Sequence, residues 1–593
     1  MKKILFLTLF GFFNLLLASY SYDKQWLNIL HYKKTLFGYK SLIDDKNFFI
    51  SKNGQTNPKE ELLSSIKLIK TSPSKFACRF PLRYQYINEH YNISNFDISQ
   101  CVELNKYLKN VNPYQAVMVF ADAHMNKPAS MFGHTFIRID TPKKLPLLSY
   151  AVNYAAHVTD TNGILFAFKG IFGFYKAYYS ILPYYEKLRE YSDQESRDLW
   201  SYNLNLTPDE VKKMAFHVWE LKDIYSDYYF FTENCSYNIL FLIDVAKPNV
   251  NTTDYFKSTV IPMDTIKLLY KKGLISNVQY SASLVTQIKY ISKPIKNKQI
   301  IVDIANNQTK PTFVLDMNTS NEYKARILDS SVRYLKYLSI KHKITKKEFT
   351  NRFLKILSAR SKVKYTSNYK YPTPINPIHS HDSRRILLAI GRENHKDYID
   401  FGLRLAYHSI EDNIQGFKYG SSLQFGDFKF RYHKNLKIEK IGLVEILSLT
   451  PRDTLFKPIS WKINGGFYKE YINNKEKLVF KINPGGGFTK EFKNTMLYGM
   501  FNSDFNFNSN YHKGYSFGFG PQFGMIKYFQ NNAILIDVGY INYIFGDKNH
   551  KLYTNSKFRH TINRNNAILL NYEYQKTYKN HINNISLLYY YYF

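Results

Sequence analysis

The period of the apolar positions changes along the chain, and those changes divide it. From about residue 398 onward the period is two. In Tyr515–Gly520 the aromatics Tyr515, Phe517 and Phe519 alternate with Ser516, Gly518 and Gly520. Ile534, Ile536, Val538 and Tyr540 alternate with Leu535, Asp537 and Gly539, and Ile568, Leu570, Tyr572 and Tyr574 face away from Asn571, Glu573 and Gln575. Alternation of this kind places one set of side chains on each face of a strand. The segments often run a dozen residues and are rich in Tyr and Phe, with polar turns such as Asn473-Asn474 and Asp547-Lys548-Asn549 between them. Soluble β-sandwich strands alternate too. Strands of this length with aromatic faces fit better the tilted crossing and interfacial girdles of a transmembrane barrel. Leu587, Tyr589, Tyr591 and Phe593 share one face of the last strand, a terminal aromatic pattern that resembles the assembly signal of outer-membrane barrels. The pattern predicts an antiparallel barrel of ten to twelve strands over 391–593.

Upstream the texture differs. Residues 22–110 read as mostly helical, with apolar positions at helical spacing in Glu60–Ile69 and a break at Phe80-Pro81. In 111–285, Ala116–Ala121, Thr135–Ile139 and Leu147–Ala155 read as buried or half-buried strands. Thr207-Pro208-Asp209-Glu210 is a capping box that starts a helix running toward Tyr225. A second helix is predicted from near Asn234 to Ala246, ended by Lys247-Pro248. Strands mixed with helices predict an α+β domain over this span. A few polar strands and then helices near 320–360 are expected in 286–390, closed by the Pro-rich link Tyr371–Pro377.

The first residues change the setting. Met1-Lys2-Lys3, a nearly uninterrupted apolar run from Ile4 to Ala18, and the small residues Ser19 and Ser21 have the layout of a secretory signal peptide over 1–21. The run is short for a membrane-spanning helix, and no later stretch holds about 20 consecutive apolar residues. The net charge of +34 comes from lysines scattered along the whole chain, without a compact basic stripe. Nucleic acid is therefore not expected as a partner, although such a surface favours anionic lipid head groups. Three cysteines are present. Cys78 and Cys101 lie in one segment and are the expected pair in an oxidising compartment, which leaves Cys235 as the odd thiol.

The candidate chemistry lies in Ser130–Ile139 (SMFGHTFIRI) and Phe231–Tyr237 (FTENCSY). The first sets His134 at the entry to a strand, after a glycine that permits a sharp turn. The second sets Cys235 in the first turn of an apolar helix, where the dipole and free backbone N–H groups favour a thiolate. A thiolate facing an imidazole is machinery for nucleophilic acyl transfer. Asn153, on the following strand, is the candidate to orient the imidazole. The plainer alternative is a buried structural cysteine and a satisfied histidine. Asp122 and His124 are candidates for the same cleft, Tyr184, Tyr185 and Glu186 for a substrate groove, and Glu233 for a favourable charge at the helix start. Arg138 and Asp140 read as a solvated strand face and cap. His379-Ser380-His381-Asp382 has metal-ligand residue types without a complete spacing pattern, so no metal or cofactor is expected.

Pro128–Asp140 (PASMFGHTFIRID), Leu182–Lys187 (LPYYEK) and Glu233–Tyr237 (ENCSY) resemble the Lnb N-terminal periplasmic domain family. Cys78–Arg83 and Pro377–Arg385 resemble its companion regions. That family resembles circularly permuted NlpC-type papain-like folds, in which the His strand precedes the Cys helix, the order present here. The resemblance implies a papain-like periplasmic domain ahead of the barrel. Because some relatives are lipoprotein N-acyltransferases, it also implies a lipid acyl donor and an amine acceptor. The barrel departs from the acyltransferase branch, which carries transmembrane helices. The expected protein is thus an outer-membrane one with its N-terminal domains in the periplasm, acting on an outer-membrane lipid or lipoprotein and assembled by the barrel-assembly machinery. A peptidoglycan amidase or peptidase, and a barrel with a non-catalytic binding module, are the alternatives.

Overall fold

The structure, a computed structural model, describes residues 20–593 except 124, 126–129, 161–162, 474 and 578–579. Most of the expected leader, His124, and Pro128 and Ala129 of the family-like block fall outside the described residues. The chain divides into two compact units: Met1–Asp122 with Gly133–Ser281, and Ala123–Phe132 with Ala282–Phe593.

The first unit is built on a seven-stranded sheet of β1 (Gln115–Ala121), β2 (His134–Asp140), β3 (Tyr150–Ala156), β4 (Tyr175–Pro183), β5 (Leu199–Leu204), β6 (Tyr225–Tyr228) and β7 (Ile275–Ser281). Its strand order is β6-β4-β3-β2-β1-β5-β7, and each printed pairing is antiparallel. Among the described residues, five α-helices precede it: α1 (Lys24–Ile29), α2 (Pro58–Thr71), α3 (Pro73–Arg79), α4 (Pro81–Tyr91) and α5 (Val102–Val111). Pro at N1 starts α2, α3 and α4, since that position has no helical partner for an N–H. Among the helices interspersed with the sheet strands are α6 (Gly163–Phe172), α7 (Pro208–Glu220) and α8 (Cys235–Ala246). The Thr207–Glu210 capping box opens α7, which ends at Glu220 rather than near Tyr225, because 225–228 pairs with β4 as an edge strand. Every residue of α8 is buried, as an apolar sequence such as CSYNILFLIDVA requires.

The N-terminal helices share this core. His31 stacks on Phe241 of α8 at 4.1 Å, and its Nε2 lies 2.9 Å from Nε2 of His217 on α7. Glu220 accepts the backbone N–H groups of Leu82 and Arg83, and the Arg83 guanidinium lies between the rings of Phe48 and Phe80 and pairs with Glu61. A disulfide joins Cys78 of α3 to Cys101 at the start of α5, and Cys235 is free and buried.

In the second unit, residues 282–363 are helical, led by α9 (Asn321–Ile340) and α10 (Lys346–Ser361). The polar strands expected after 286 do not occur among the described residues. Leu284, Ile288 and Ile291 instead recur at helical spacing and are buried in a core with Leu328 and Leu335. Leu455 and Phe456, from a turn between barrel strands, close that core.

Twelve further strands form a closed antiparallel barrel, from β8 (Arg385–Glu393) to β19 (His581–Tyr592). Among them are β9 (Lys396–His408), β12 (Ser460–Ile472), β14 (Thr495–Phe507) and β17 (Asn549–Asn563). The first strand starts ahead of the expected boundary at 391. Its sequence RILLAIGRE is apolar on both faces, so alternation does not mark it. In β19, Ile585, Leu587, Tyr589 and Tyr591 are exposed, while Asn584, Ser586, Leu588, Tyr590 and Tyr592 point inward. The register from Arg385↔Tyr592 to Glu393↔Asn584 closes the ring and leaves no free edge. Ion pairs span the lumen between strands that are not neighbours: Lys469 of β12 to Glu393 of β8 at 3.2 Å, and Lys551 of β17 to Glu470 of β12 at 2.8 Å. They border an interior cavity of about 510 Å³.

Closure through an apolar exterior makes a measurable demand. Leu587→Arg places a charge on the lipid-facing side and should cost about 2–4 kcal/mol near the bilayer centre. The expected readout is loss of the heat-modifiable gel species, with Ser586→Ala at the inward neighbour retaining it.

Candidate active site

Gly133 has φ of +84°, and a Cβ there would stand 2.3 Å from the Phe120 ring. Only glycine allows this turn, which delivers His134 at the very start of β2. At the other wall, Asn234 caps α8. Its Oδ1 accepts the N–H groups of Ser236 (3.0 Å) and Tyr237 (3.2 Å), and its Nδ2 donates to the carbonyls of Phe230 (3.1 Å) and Val260 (2.7 Å). The cap fixes Cys235 as the first helical residue, at the positive end of the dipole. The Thr135 hydroxyl donates to the Ser236 hydroxyl (2.9 Å), which ties strand β2 to helix α8.

These elements place the three expected residues in a line. His134 Nε2 lies 2.7 Å from Asn153 Oδ1, and the imidazole also hydrogen-bonds the Cys235 thiol. With Nε2–H given to the amide oxygen, Nδ1 is the nitrogen left for the sulfur. Cys235 is 5% exposed and Asn153 4%. Burial raises the thiol's pKa. The His134 imidazolium, the Thr135 backbone N–H and the Ser236 hydroxyl outweigh it and bring the thiol down to about 7. Burial likewise opposes charge on His134, and the thiolate and Asn153 overcome it, so the imidazole's pKa is raised.

Further residues belong to this site. The Tyr228 hydroxyl, at the end of β6, takes the Cys235 backbone N–H and hydrogen-bonds the sulfur. Tyr191 stacks on the imidazole at 5.6 Å. Arg197 lies over the Tyr191 ring and donates to the carbonyls of Ala121 and Asp122 (2.6 Å each). In a chain with 52 tyrosines, neither Tyr228 nor Tyr191 stands out in the sequence. Glu233 is pushed up to about 7 by burial and by Asp44 beside it.

Other candidates fall elsewhere. Tyr184 is buried in the sheet's core beside Phe136, while Tyr185 is exposed. Arg138 and Asp140 form a buried ion pair (2.7 Å) under the Tyr184 ring, in place of the solvated face expected, because that end of the strand is covered on both sides. From the His379–Asp382 stretch, the fold brings His381 beside His408 and Asp412. His381 Nε2 is 3.1 Å from His408 Nδ1, and Asp412 Oδ2 is 3.6 and 3.8 Å from those atoms. The spacing would admit a metal ion. However, Asp412 Oδ2 already meets Arg404 (2.7 Å) and the Ser409 N–H (2.8 Å), and Oδ1 accepts from Tyr592 (2.8 Å). A carboxylate so committed, between Arg385 and Arg404, pins the strand ends together and does not suit a dication.

Fold and site together define a transmembrane-type β-barrel protein with an α/β domain that carries a Cys–His–Asn line. Residues 103–272 match the family model described as the Lnb N-terminal periplasmic domain. Models described as domains of unknown function match 19–90 (DUF7843), 278–372 (DUF7842) and 374–592 (DUF7840). No curated protein matches the chain. Among solved structures, similarity is found to a loop-deletion mutant of OmpT, an outer membrane protein of Vibrio cholerae. It is 7% identical, covers 35% of this chain and 98% of that one, and has a TM-score of 0.20. The KdgM porin in complex with disordered oligogalacturonate is 8% identical, covering 35% and 99%, with a TM-score of 0.23. The NanC porin has the same identity, coverage and score. Likeness at this level carries no argument about function.

A thiol at about 7 is roughly half ionised at neutral pH, against a few per cent for an ordinary cysteine. Alkylation of Cys235 by iodoacetamide should therefore rise with a midpoint near pH 7. In His134→Ala burial is no longer offset, so the midpoint should move upward and the rate at pH 7 should fall more than about tenfold. Mass spectrometry of the Cys235 peptide across pH gives both curves.

Proposed function

We propose that the α/β domain is a permuted papain-like cysteine acyltransferase. In this reading it takes an acyl group from an envelope lipid and passes it to an amine, with a lipoprotein as the natural acceptor. The barrel, inserted by the barrel-assembly machinery, holds it at the outer membrane. The observation that carries the reading is the Cys235–His134–Asn153 line, with the thiol lowered to about 7.

The steps follow from the atoms in place. The imidazole takes the Cys235 proton, and the thiolate attacks the ester carbonyl. The Tyr228 hydroxyl, which accepts the Cys235 backbone N–H and donates to the sulfur, stands beside the thiolate and turns its O–H to the oxyanion. As the ester C–O bond breaks, the imidazolium returns its proton to the departing lysolipid oxygen and a thioester remains. An amine then attacks the thioester, His134 takes its proton, and the thiolate leaves. Asn153 holds the ring with Nδ1 toward sulfur throughout. The same pair would serve an amidase or peptidase on peptidoglycan stem peptides. The acyl group found on Cys235 separates the readings.

Intact-mass analysis after exposure to phospholipid vesicles should show a fatty-acyl adduct on wild type and none on Cys235→Ala. Cys235→Ala and His134→Ala should each lower turnover by at least about 10³-fold, with the double variant little worse. Asn153→Ala should cost about ten- to a hundredfold, and Tyr228→Phe about a hundredfold as the loss of one oxyanion donor. A peptide adduct, or normal envelope function with Cys235→Ala, would overturn the proposal.

A further inference from the structure

Helix α6 lies in the connection from β3, which carries Asn153, to its antiparallel neighbour β4. Its sequence GILFAFKGIF holds one charged residue, Lys169, which pairs with Asp160 at 2.9 Å. A helix this apolar would ordinarily be buried on all sides. Here Leu165, Phe168, Ile171 and Phe172 are 41–57% exposed, and Phe174, just beyond the helix, is 65% exposed. Phe168, Ile171 and Phe172 fall on one face by helical spacing.

The helix is anchored by its other side. Gly170 accepts the Phe230 N–H at 2.8 Å, and the Tyr229 ring fills the space a side chain at Gly173 would need. The Phe230 carbonyl accepts from Asn234, the cap of the helix that begins at Cys235. Strands β2 and β3 run antiparallel with Ile137 opposite Val152, so β3 exits toward α6 at the end of the sheet where His134 begins. The exposed apolar face and the nucleophile thus share one end of the domain, linked through Phe230 and Asn234.

We propose that α6 and Phe174 form a bilayer-docking element, which lies in the headgroup–acyl boundary of anionic phospholipid and brings the acyl ester to Cys235. The second half of this rests on the acyl-transfer reading; the docking does not. Three observations select a lipid surface as the occupant. Five half-exposed side chains offer roughly 500 Å², short of the ~800 Å² that each partner typically contributes to a stable protein interface. From Gly163 to Tyr178 the chain has no acidic residue; Asp160 offsets Lys169, and the exposed Lys176 adds a positive charge within a protein of net charge +34, which complements anionic head groups. Finally, the same chain carries a barrel with an apolar exterior, so a bilayer is at hand.

The test uses the full chain with Cys235→Ala and Phe172→Cys, nitroxide-labelled at 172 and reconstituted in phosphatidylethanolamine–phosphatidylglycerol vesicles. Power-saturation electron paramagnetic resonance compares collisions with oxygen, which concentrates in lipid, and with a nickel chelate, which stays in water. Oxygen should dominate at 172 and nickel at a control label in Lys347→Cys on α10. Nickel dominance at 172 would overturn the proposal. So would spin–spin broadening that disappears on dilution with unlabelled chain, because a second copy would then cover the face. In chain with Cys235 intact, Phe168→Ser with Phe172→Ser should lower the ratio of vesicle-lipid turnover to soluble short-chain ester turnover at least tenfold. Turnover of neither substrate by wild type removes the acyl-transfer reading, and the resonance result still decides the docking.

Discussion

Burial opposes a charge on the Cys235 sulfur, and the architecture around it is arranged to offset that opposition. Taking the Cys235 thiolate out of water opposes its ionisation, and only a partner charge with several hydrogen bonds restores it. Each supplier needs its own scaffold. His134 needs the Gly133 turn, the Thr135 N–H needs β2 in register, and the positive helix end needs the Asn234 cap. Displacing any of these leaves a buried thiol with ordinary reactivity. The fully buried α8 and the His31–His217–Glu220 chain behind it hold the helix start in place.

What was legible in the sequence follows from how local each signal is. The barrel announced itself because alternation is a property of adjacent residues, and aromatic strands repeat it many times. Cys235 and His134 were legible because each sits in a local device, a helix start or a glycine turn. Asn153 could be reached by strand order alone. Tyr228, Tyr191 and Arg197 were not reachable, because their roles depend on pairings across the sheet and because tyrosine is too common here to inform. Strand β8 was missed for a related reason, since a strand apolar on both faces has no period to read.

The errors share a cause. Arg138 and Asp140 carry charges, so a solvated face was expected, yet they neutralise each other under the Tyr184 ring. The partners of His381, His408 and Asp412, likewise arrive only once the barrel closes, so its stretch shows no complete ligand spacing. In both cases a charge or ring nitrogen is satisfied by residues that composition cannot place beside it. The fold settles whether such groups are functional or structural.

The ties across the barrel interior have a consequence for the barrel's shape. Lys469 to Glu393 and Lys551 to Glu470 join strands that are not neighbours, so they act as struts across the tube. Between them lies a pocket of about 510 Å³, lined by charged and polar side chains such as Lys462, Glu470, Lys481 and Asp537. A tube braced in this way resists flattening by the surrounding bilayer, because any change in its cross-section would separate paired charges inside it.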